Sequence, residues 1–404
     1  MAAQRKGTEG RDVSLVELWQ TSPTQLRDKH VQQIIAFAGT GRLQDGNEAS
    51  IDFRAFMSHV PSGVLTRYAN ECLAGKFDDG GFALQDVINQ VGRRLGFEVE
   101  NGRYRGVAGQ SGHDGLWLAH DRAVIVEVKT TDAYRIDLDR IADYRLQIIR
   151  LGRVPDRTTS ILLVVGRQDT GDLEAQIRGS RHAWDIRVIS VDGLIRLMTL
   201  KETIDDPQIL KKTLGILTPR EFTRVDDIID LVFSTAEEAI QEATEEEAGR
   251  ALEDSRSEAS TIRVAPANFY DACIQRVAAK LGCSLVKQSR TFYASPDGSV
   301  TVLCVVSRTY EHQTRQGFWY AFHPHQREKL AASSQSFVAL GCGSPNVVLL
   351  IPFQDFTSWV DDMNVTRLEN RLYWHVQIVQ DGRRFELRRK AGTSRVDLTR
   401  YLLD

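Results

Sequence analysis

Apolar and polar positions along this chain follow two rhythms, one of three and four residues and one of two. "FALQDVINQVGRRLGF" sets Leu84, Val87, Ile88, Val91 and Leu95 on one helix face and predicts an amphipathic helix that ends near Gly96. The pattern then changes. "FEVENGRYRGV" reads as a strand with its turn, and "DGLWLAH" and "RAVIVEVKT" as two strands joined by a tight turn around His120 and Asp121. "DLDRIADYRLQIIRLG" is again helical, with Leu138, Ile141, Leu146, Ile148 and Ile149 as its apolar side. "TSILLVVG" is a continuous apolar run between turn signals, as in a strand buried on both faces. "HAWDIRVIS" adds a strand and "DGLIRLMTL" a helix.

Ahead of this region, Val13 to Ala38 carries apolar residues at helical spacing and stops at the glycines of "GTG", Gly39 to Gly41. "SHVPSGVLTRYANECLAG" predicts a second helical stretch closed by Gly75. "GTGR" lacks the length and the lysine of a phosphate-binding loop and reads as a helix cap. After Val264 a second series begins: the helix "NFYDACIQRVAAKLGC", a hairpin through "PDGS", the strand "GFWYAFHP", and further alternation to the end. The expected organisation is a helical extension over 1–81, an α/β core with a mixed sheet over 82–200, a helical and acidic connection over 201–262, and an α+β domain over 263–404.

Composition narrows the class. The chain has 404 residues, 42% apolar and 26% charged, with a net charge of -3, as in a globular protein of more than one domain. No run approaches the roughly 18 to 20 apolar residues of a membrane span. The polar start "MAAQRKGTEGRD" predicts no signal peptide, and five widely spaced cysteines without a CxxC pair argue against a disulfide framework or thiolate zinc site. A reducing cytoplasm is the expected compartment. The acidic run "EEAIQEATEEEAGRALEDSRSEAS", Glu237 to Ser260, holds more negative charge than the chain's net, so the remainder is mildly basic.

Against this background one strand stands out. In "AVIVEVK", strand alternation points Glu127 and Lys129 one way and Val126 and Val128 the other, which predicts one face built for a core and one presenting charge. Hairpin pairing brings Asp114 opposite the region of Glu127. The three charges admit two readings, a surface ion pair beside a turn aspartate or a site for a metal and a water.

The order of elements, with His113-Asp114, a spacer and the "EVK" of Glu127-Val128-Lys129, resembles the PD-(D/E)XK nuclease superfamily, which includes many restriction, repair and defence endonucleases. The resemblance spans Phe82 to Ser190, and the proline of the motif is absent. It implies a restriction-endonuclease-like core and a DNA endonuclease dependent on Mg²⁺, with Mn²⁺ as a substitute. Asp114, Glu127 and the carbonyl of Val128 would hold the ion, Lys129 would orient or deprotonate the water, and Asp86 is the nearest candidate for an additional acid. Hard oxygen ligands suit that cation, which usually takes only one or two protein carboxylates.

Other residues bear on the substrate. Arg103, Arg105, Arg135, Arg140 and Arg145, with Tyr104, Tyr134 and Tyr144, suit a polyanion groove, and His113 suits a phosphate contact. His113 and His120 alone make a poor zinc set. In the second domain, alternation in "FWYAFHPHQ" puts Trp319, Ala321 and His323 on one face, so these aromatics either pack as core or, with Trp374, line a base-stacking platform. Pro296-Asp297 reads as a turn. The expected partner is DNA, with no membrane; a homodimer and partner proteins of a defence system follow from the resemblance. An RNA-directed nuclease and a DNA-binding module that no longer cuts are the alternatives.

Overall fold

The structure, a computed structural model, describes residues 13–105, 112–119, 122–130, 136–166, 171–217, 267–312, 315–368 and 371–403. The predicted acidic connection, Glu237 to Ser260, and the candidates His120, Tyr134 and Arg135 lie outside the described residues. The rest is mixed α+β and falls into two compact units, one reaching Thr199 and including 216 and 217, the other comprising 200–215 and the described residues from 267 onward.

In the first unit the leading apolar stretch is not one helix but three: α1 (Leu15–Thr21), α2 (Pro23–Arg27) and α3 (Val31–Phe37). Pro23 has no N–H to continue α1 and instead occupies the first position of a new helix. α4 (Glu48–His59), unread from the sequence, starts where the Asn47 side chain accepts from Ser50 N. α5 (Ser62–Ala74) follows the break at Pro61.

α6 (Gly80–Leu95) ends at Gly96, whose φ of 101° is open to glycine at little cost. The apolar stripe is buried as its pattern predicts, and burial extends beyond it. Gln85, Asp86, Asn89, Gln90 and Arg94 are buried as well as the apolar stripe, because α4 and α5 pack on the helix from outside the sheet.

The strands β1 (Glu98–Asn101), β2 (Gly115–Leu118), β3 (Ala123–Lys129), β4 (Thr159–Val165) and β5 (Ile186–Ser190) form one sheet in that order. β1, β2 and β3 are antiparallel neighbours, whereas β3, β4 and β5 run parallel. A parallel neighbour needs a crossover, and α7 (Leu138–Arg150) supplies it between β3 and β4. The face under α7 collects Leu116, Ala123, Ile125, Ile161 and Leu163 against Leu138, Ile141 and Ile148. Leu146, expected on that apolar side, is exposed, and Arg145 is inside. α8 (Gly171–Arg178) joins the same core, and α9 (Val191–Lys201) follows β5.

The second unit begins with residues the sequence assigns to the connection. α10 (Pro207–Gly215) and the segment before it belong here. Buried Asp205 ties that segment in, accepting from Ser289 Oγ at 2.5 Å, Thr291 Oγ1 at 2.7 Å and Thr291 N at 3.2 Å. α11 (Ala267–Leu281) covers one face of a sheet built from β6 (Val286–Lys287), β7 (Phe292–Ala294), β8 (Val300–Ser307), β11 (Gln335–Cys342) and β12 (Val348–Pro352).

The second sheet holds β9 (Tyr310–His312), β10 (Arg315–Phe322), β14 (Arg371–Asp381), β15 (Arg384–Arg388) and β16 (Val396–Asp397), with β13 (Val365–Leu368) on β14. Phe318, Tyr320, Phe322, Val376 and Ile378 of this sheet meet Phe292, Leu303, Val338 and Leu340 of the other in a shared core, flanked by α12 (Pro324–Ala331) and α13 (Phe353–Val360). Pro296-Asp297 lies in the turn between β7 and β8, where Gly298 has a positive φ. No described helix is long and apolar enough to cross a membrane.

Candidate active site

Asp114 is fixed by its backbone before its side chain is considered. Its N–H donates to Val126 O at 3.0 Å. Its carbonyl accepts from three donors, Gly102 N at 2.9 Å, Asn89 Nδ2 at 2.9 Å and Gln85 Nε2 at 3.1 Å. Such close approach requires small residues. A Cβ on Gly102 would lie 2.0 Å from His113 O, and one on Gly115 only 2.1 Å from Asn89 Oδ1. Asn89 Oδ1 in turn accepts from the indole N–H of the fully buried Trp117 at 3.0 Å.

The register Gly115↔Val126 sets Asp114 opposite Glu127, and Asp114 Oδ2 accepts from Val128 N at 2.7 Å. Val128 thus serves the site through its N–H. Lys129 Nζ reaches Glu127 Oε1 at 2.6 Å. The expected separation into a core face and a charged face does not hold. Glu127 and Lys129 end the same face that carries Ala123 and Ile125 under α7, so the charges sit at the margin of a core.

That placement governs their electrostatics. Glu127 is buried, and its Oε2 has no hydrogen-bond partner. Burial first, and then the neighbouring charge of Glu127, push the Asp114 carboxyl up to about 7, against the Val128 N–H and the Lys129 ammonium. Two carboxylates held this close resist ionising together. Asp114, Glu127 and Lys129 therefore form one interacting group.

Other candidates fall near or far. His113 is half-buried with Nδ1 unpartnered; burial and Arg153 lower its pKa while Glu100 opposes them. Arg140 is exposed and donates from Nε to Tyr144 Oη at 2.7 Å. That hydroxyl lies against Gly112, where a Cβ would be 2.9 Å from it, so the pair sits beside the approach to Asp114. Arg105 is exposed, with its N–H on Asp45 Oδ2 at 3.3 Å. Arg145 does not line a groove, because it bonds Thr159 O and Asp156 from a buried position.

Asp86 does not join the group. Its two carboxylate oxygens are taken by Arg54 Nε at 2.9 Å and by the Tyr104 hydroxyl. Burial, opposed by Arg54, raises it to about 6. The side chains of α6 that do reach Asp114 are Gln85 and Asn89; their one-turn spacing in "LQDVINQ" was the available signal.

In the second unit the stacking platform is not formed. Trp319 is only 6% exposed, and its indole N–H donates to His375 Nδ1 at 3.1 Å. His323 lies at the start of α12, its ring stacked on His325 and close to Tyr373. Trp374 is half-buried and packs on Phe322 at the margin of the shared core.

Among the described residues no cluster of three or more His, Cys, Asp or Glu side chains is arranged to hold a metal ion. Any cation at the strand end would rest on the two carboxylates alone, with backbone and water oxygens completing its shell. The unpartnered buried Oε2 of Glu127 beside a second carboxylate fits that demand, because a cation satisfies both. No family model matches the chain, and no curated protein matches it.

Proposed function

We propose that the first unit is a divalent-metal-dependent nuclease that hydrolyses phosphodiester bonds of DNA, with a core of the PD-(D/E)XK type. The observation that carries this reading is the buried, unpartnered Glu127 Oε2 set against Asp114. Most buried polar groups find a partner, and a cation would supply one here.

Asp114 and Glu127 would hold Mg²⁺ or Mn²⁺, which when bound neutralises phosphate charge and acidifies a water. The chain's own residues do the rest. Val128 N–H fixes the rotamer of Asp114, and Gln85, Asn89 and Gly102 fix its backbone. Lys129 supplies a positive charge at the strand end, where it orients the attacking water and offsets charge that develops on the phosphate. Arg140, held by Tyr144, would contact the phosphate backbone of the substrate.

The test is cleavage of plasmid DNA with Mg²⁺, with Mn²⁺ and in EDTA, by wild type and by Asp114→Asn and Lys129→Ala. Metal-dependent cutting lost in both variants supports the reading. Undiminished cutting by either variant, or full activity in EDTA, refutes it. A chain that binds DNA and never cuts would instead be the non-cleaving module.

A further inference from the structure

The helical extension contacts the core at one irregular stretch, Gly102 to Arg105. Gly102 donates to the Asp114 carbonyl, so this stretch leaves directly from the site. Two residues on, Tyr104 is pinned from several sides. Its N–H donates to Asp45 Oδ1 at 2.8 Å and its hydroxyl to Asp86, whose other oxygen holds Arg54. The Arg54 guanidinium also lies 4.8 Å from the centre of the Tyr104 ring, and Phe82 packs on that ring at 4.7 Å. Asp45 further accepts from Arg105 N. Asp45 and Arg54 both come from the extension.

On either side of this anchored tyrosine stand Arg103 and Arg105, both exposed and neither with a carboxylate partner among the described residues. Anchoring a tyrosine does not require arginines beside it. Two such guanidiniums on a stretch held this firmly, next to a site that would handle phosphodiesters, match the backbone of a polyanion. Arginine presents a planar fork of donors to phosphate oxygens, and fixing its backbone reduces the freedom lost on binding.

We propose that Arg103 and Arg105 contact phosphates of the DNA strand entering the Asp114 site, and that Asp45 and the Arg54–Asp86–Tyr104 group of the extension hold them in position. The proposal rests on the nuclease reading above. It gives the extension a function: an incoming strand is gripped by a segment that the extension fixes.

The test is binding of a labelled DNA duplex in EDTA, so that no cleavage enters, followed by fluorescence anisotropy over a range of salt. Removing one arginine–phosphate interaction lowers the slope of log K against log salt by about 0.9. Arg103→Gln with Arg105→Gln should therefore lower it by about 2 and weaken binding at least tenfold near 0.1 M salt, on the same relation. Asp45→Ala gives a test of sign. Removing a negative charge tightens diffuse attraction to DNA, whereas a missing anchor weakens binding several-fold despite that gain. Tyr104→Phe keeps the charge and should also weaken binding; it replaces Asp45→Ala if melting shows that variant unfolded.

An unchanged slope in the double variant, or tighter binding by Asp45→Ala with wild-type binding by Tyr104→Phe, overturns the inference. These failures are distinct from that of the nuclease reading, which falls if the wild type shows no metal-dependent cutting or if Asp114→Asn or Lys129→Ala cuts undiminished; if the wild type does not bind DNA at all, the inference falls with it.

Discussion

Glu127→Gln separates a catalytic from a structural role for this carboxylate because the two predict opposite signs of stability change. In the free protein, Glu127 Oε2 is a buried acceptor without a donor, at a cost of about 1–3 kcal/mol. Its charge also helps push Asp114 up to about 7. Against this stands the bond to Lys129, whose side chain is 35% exposed, a pair worth about 0–1 kcal/mol. The variant should therefore be more stable than wild type by about 1–2 kcal/mol at pH 8 in EDTA, while losing cleavage and the stabilisation that added Mg²⁺ gives wild type.

The pH dependence has a definite sign. An aspartate titrates near 3.9 when unfolded, and Asp114 is raised in the fold. Its contribution is fully present below about pH 4 and is lost as pH rises through about 7. Without the Glu127 charge that loss shrinks, so the advantage of the variant should grow from pH 5 to pH 8. Urea denaturation at both pH values measures it. A variant destabilised by more than about 1 kcal/mol at pH 8 would make Glu127 a structural ion-pair partner and remove the main support for a metal site.

Three further outcomes are expected. Gly115→Ala drives a Cβ to within 2.1 Å of Asn89 Oδ1 and should break the bonds of Asn89 to Trp117 and Asp114, costing about 2–4 kcal/mol in urea denaturation; a near-neutral result contradicts the packing. Arg54→Gln leaves Asp86, raised to about 6, without its cation. Because a raised carboxyl loses its stabilising contribution as pH climbs, the variant should be destabilised by about 3 kcal/mol at pH 8 and much less at pH 5, and equal losses at both pH values would exclude this. Trp319→Ala should cost about 3–5 kcal/mol as a core truncation, whereas a solvent-facing stacking residue would cost almost nothing.

What could be read in the sequence was what depends on neighbours along the chain. The stripe of Leu84, Val87, Ile88 and Val91 gave α6, and the run "TSILLVVG" gave β4. The short turn before "RAVIVEVK" was enough to pair Asp114 with the region of Glu127. What failed depended on packing from distant segments. Asp86 looked available only because nothing in its own helix shows that Arg54 and Tyr104 claim it. Alternation sorted Trp319 from Phe318 but could not tell that both faces would be buried. The same holds for Arg145, whose partners Asp156 and Thr159 lie beyond the helix on the way into the next strand.

The location of the site follows from the change of strand direction at β3. On one side β3 pairs antiparallel with β2, which begins at Gly115 opposite Val126. On the other it pairs parallel with β4 as far as Lys129↔Val165. The last residues of β3 therefore run past the end of β2, where Asp114 stands opposite Glu127. Exposure rises along this face, from 1% at Ala123 and 0% at Ile125 to 8% at Glu127 and a half-buried Lys129. Ligands of open α/β sheets bind outside the carboxyl ends of strands, where neighbouring connections diverge. Here that place combines low-dielectric surroundings, which raise Asp114 and would strengthen any interaction with a cation, with the partial exposure of Lys129. Because α6 and Gly102 hold the Asp114 carbonyl, a shift of either would displace the carboxylate from Glu127 with both acidic residues still present.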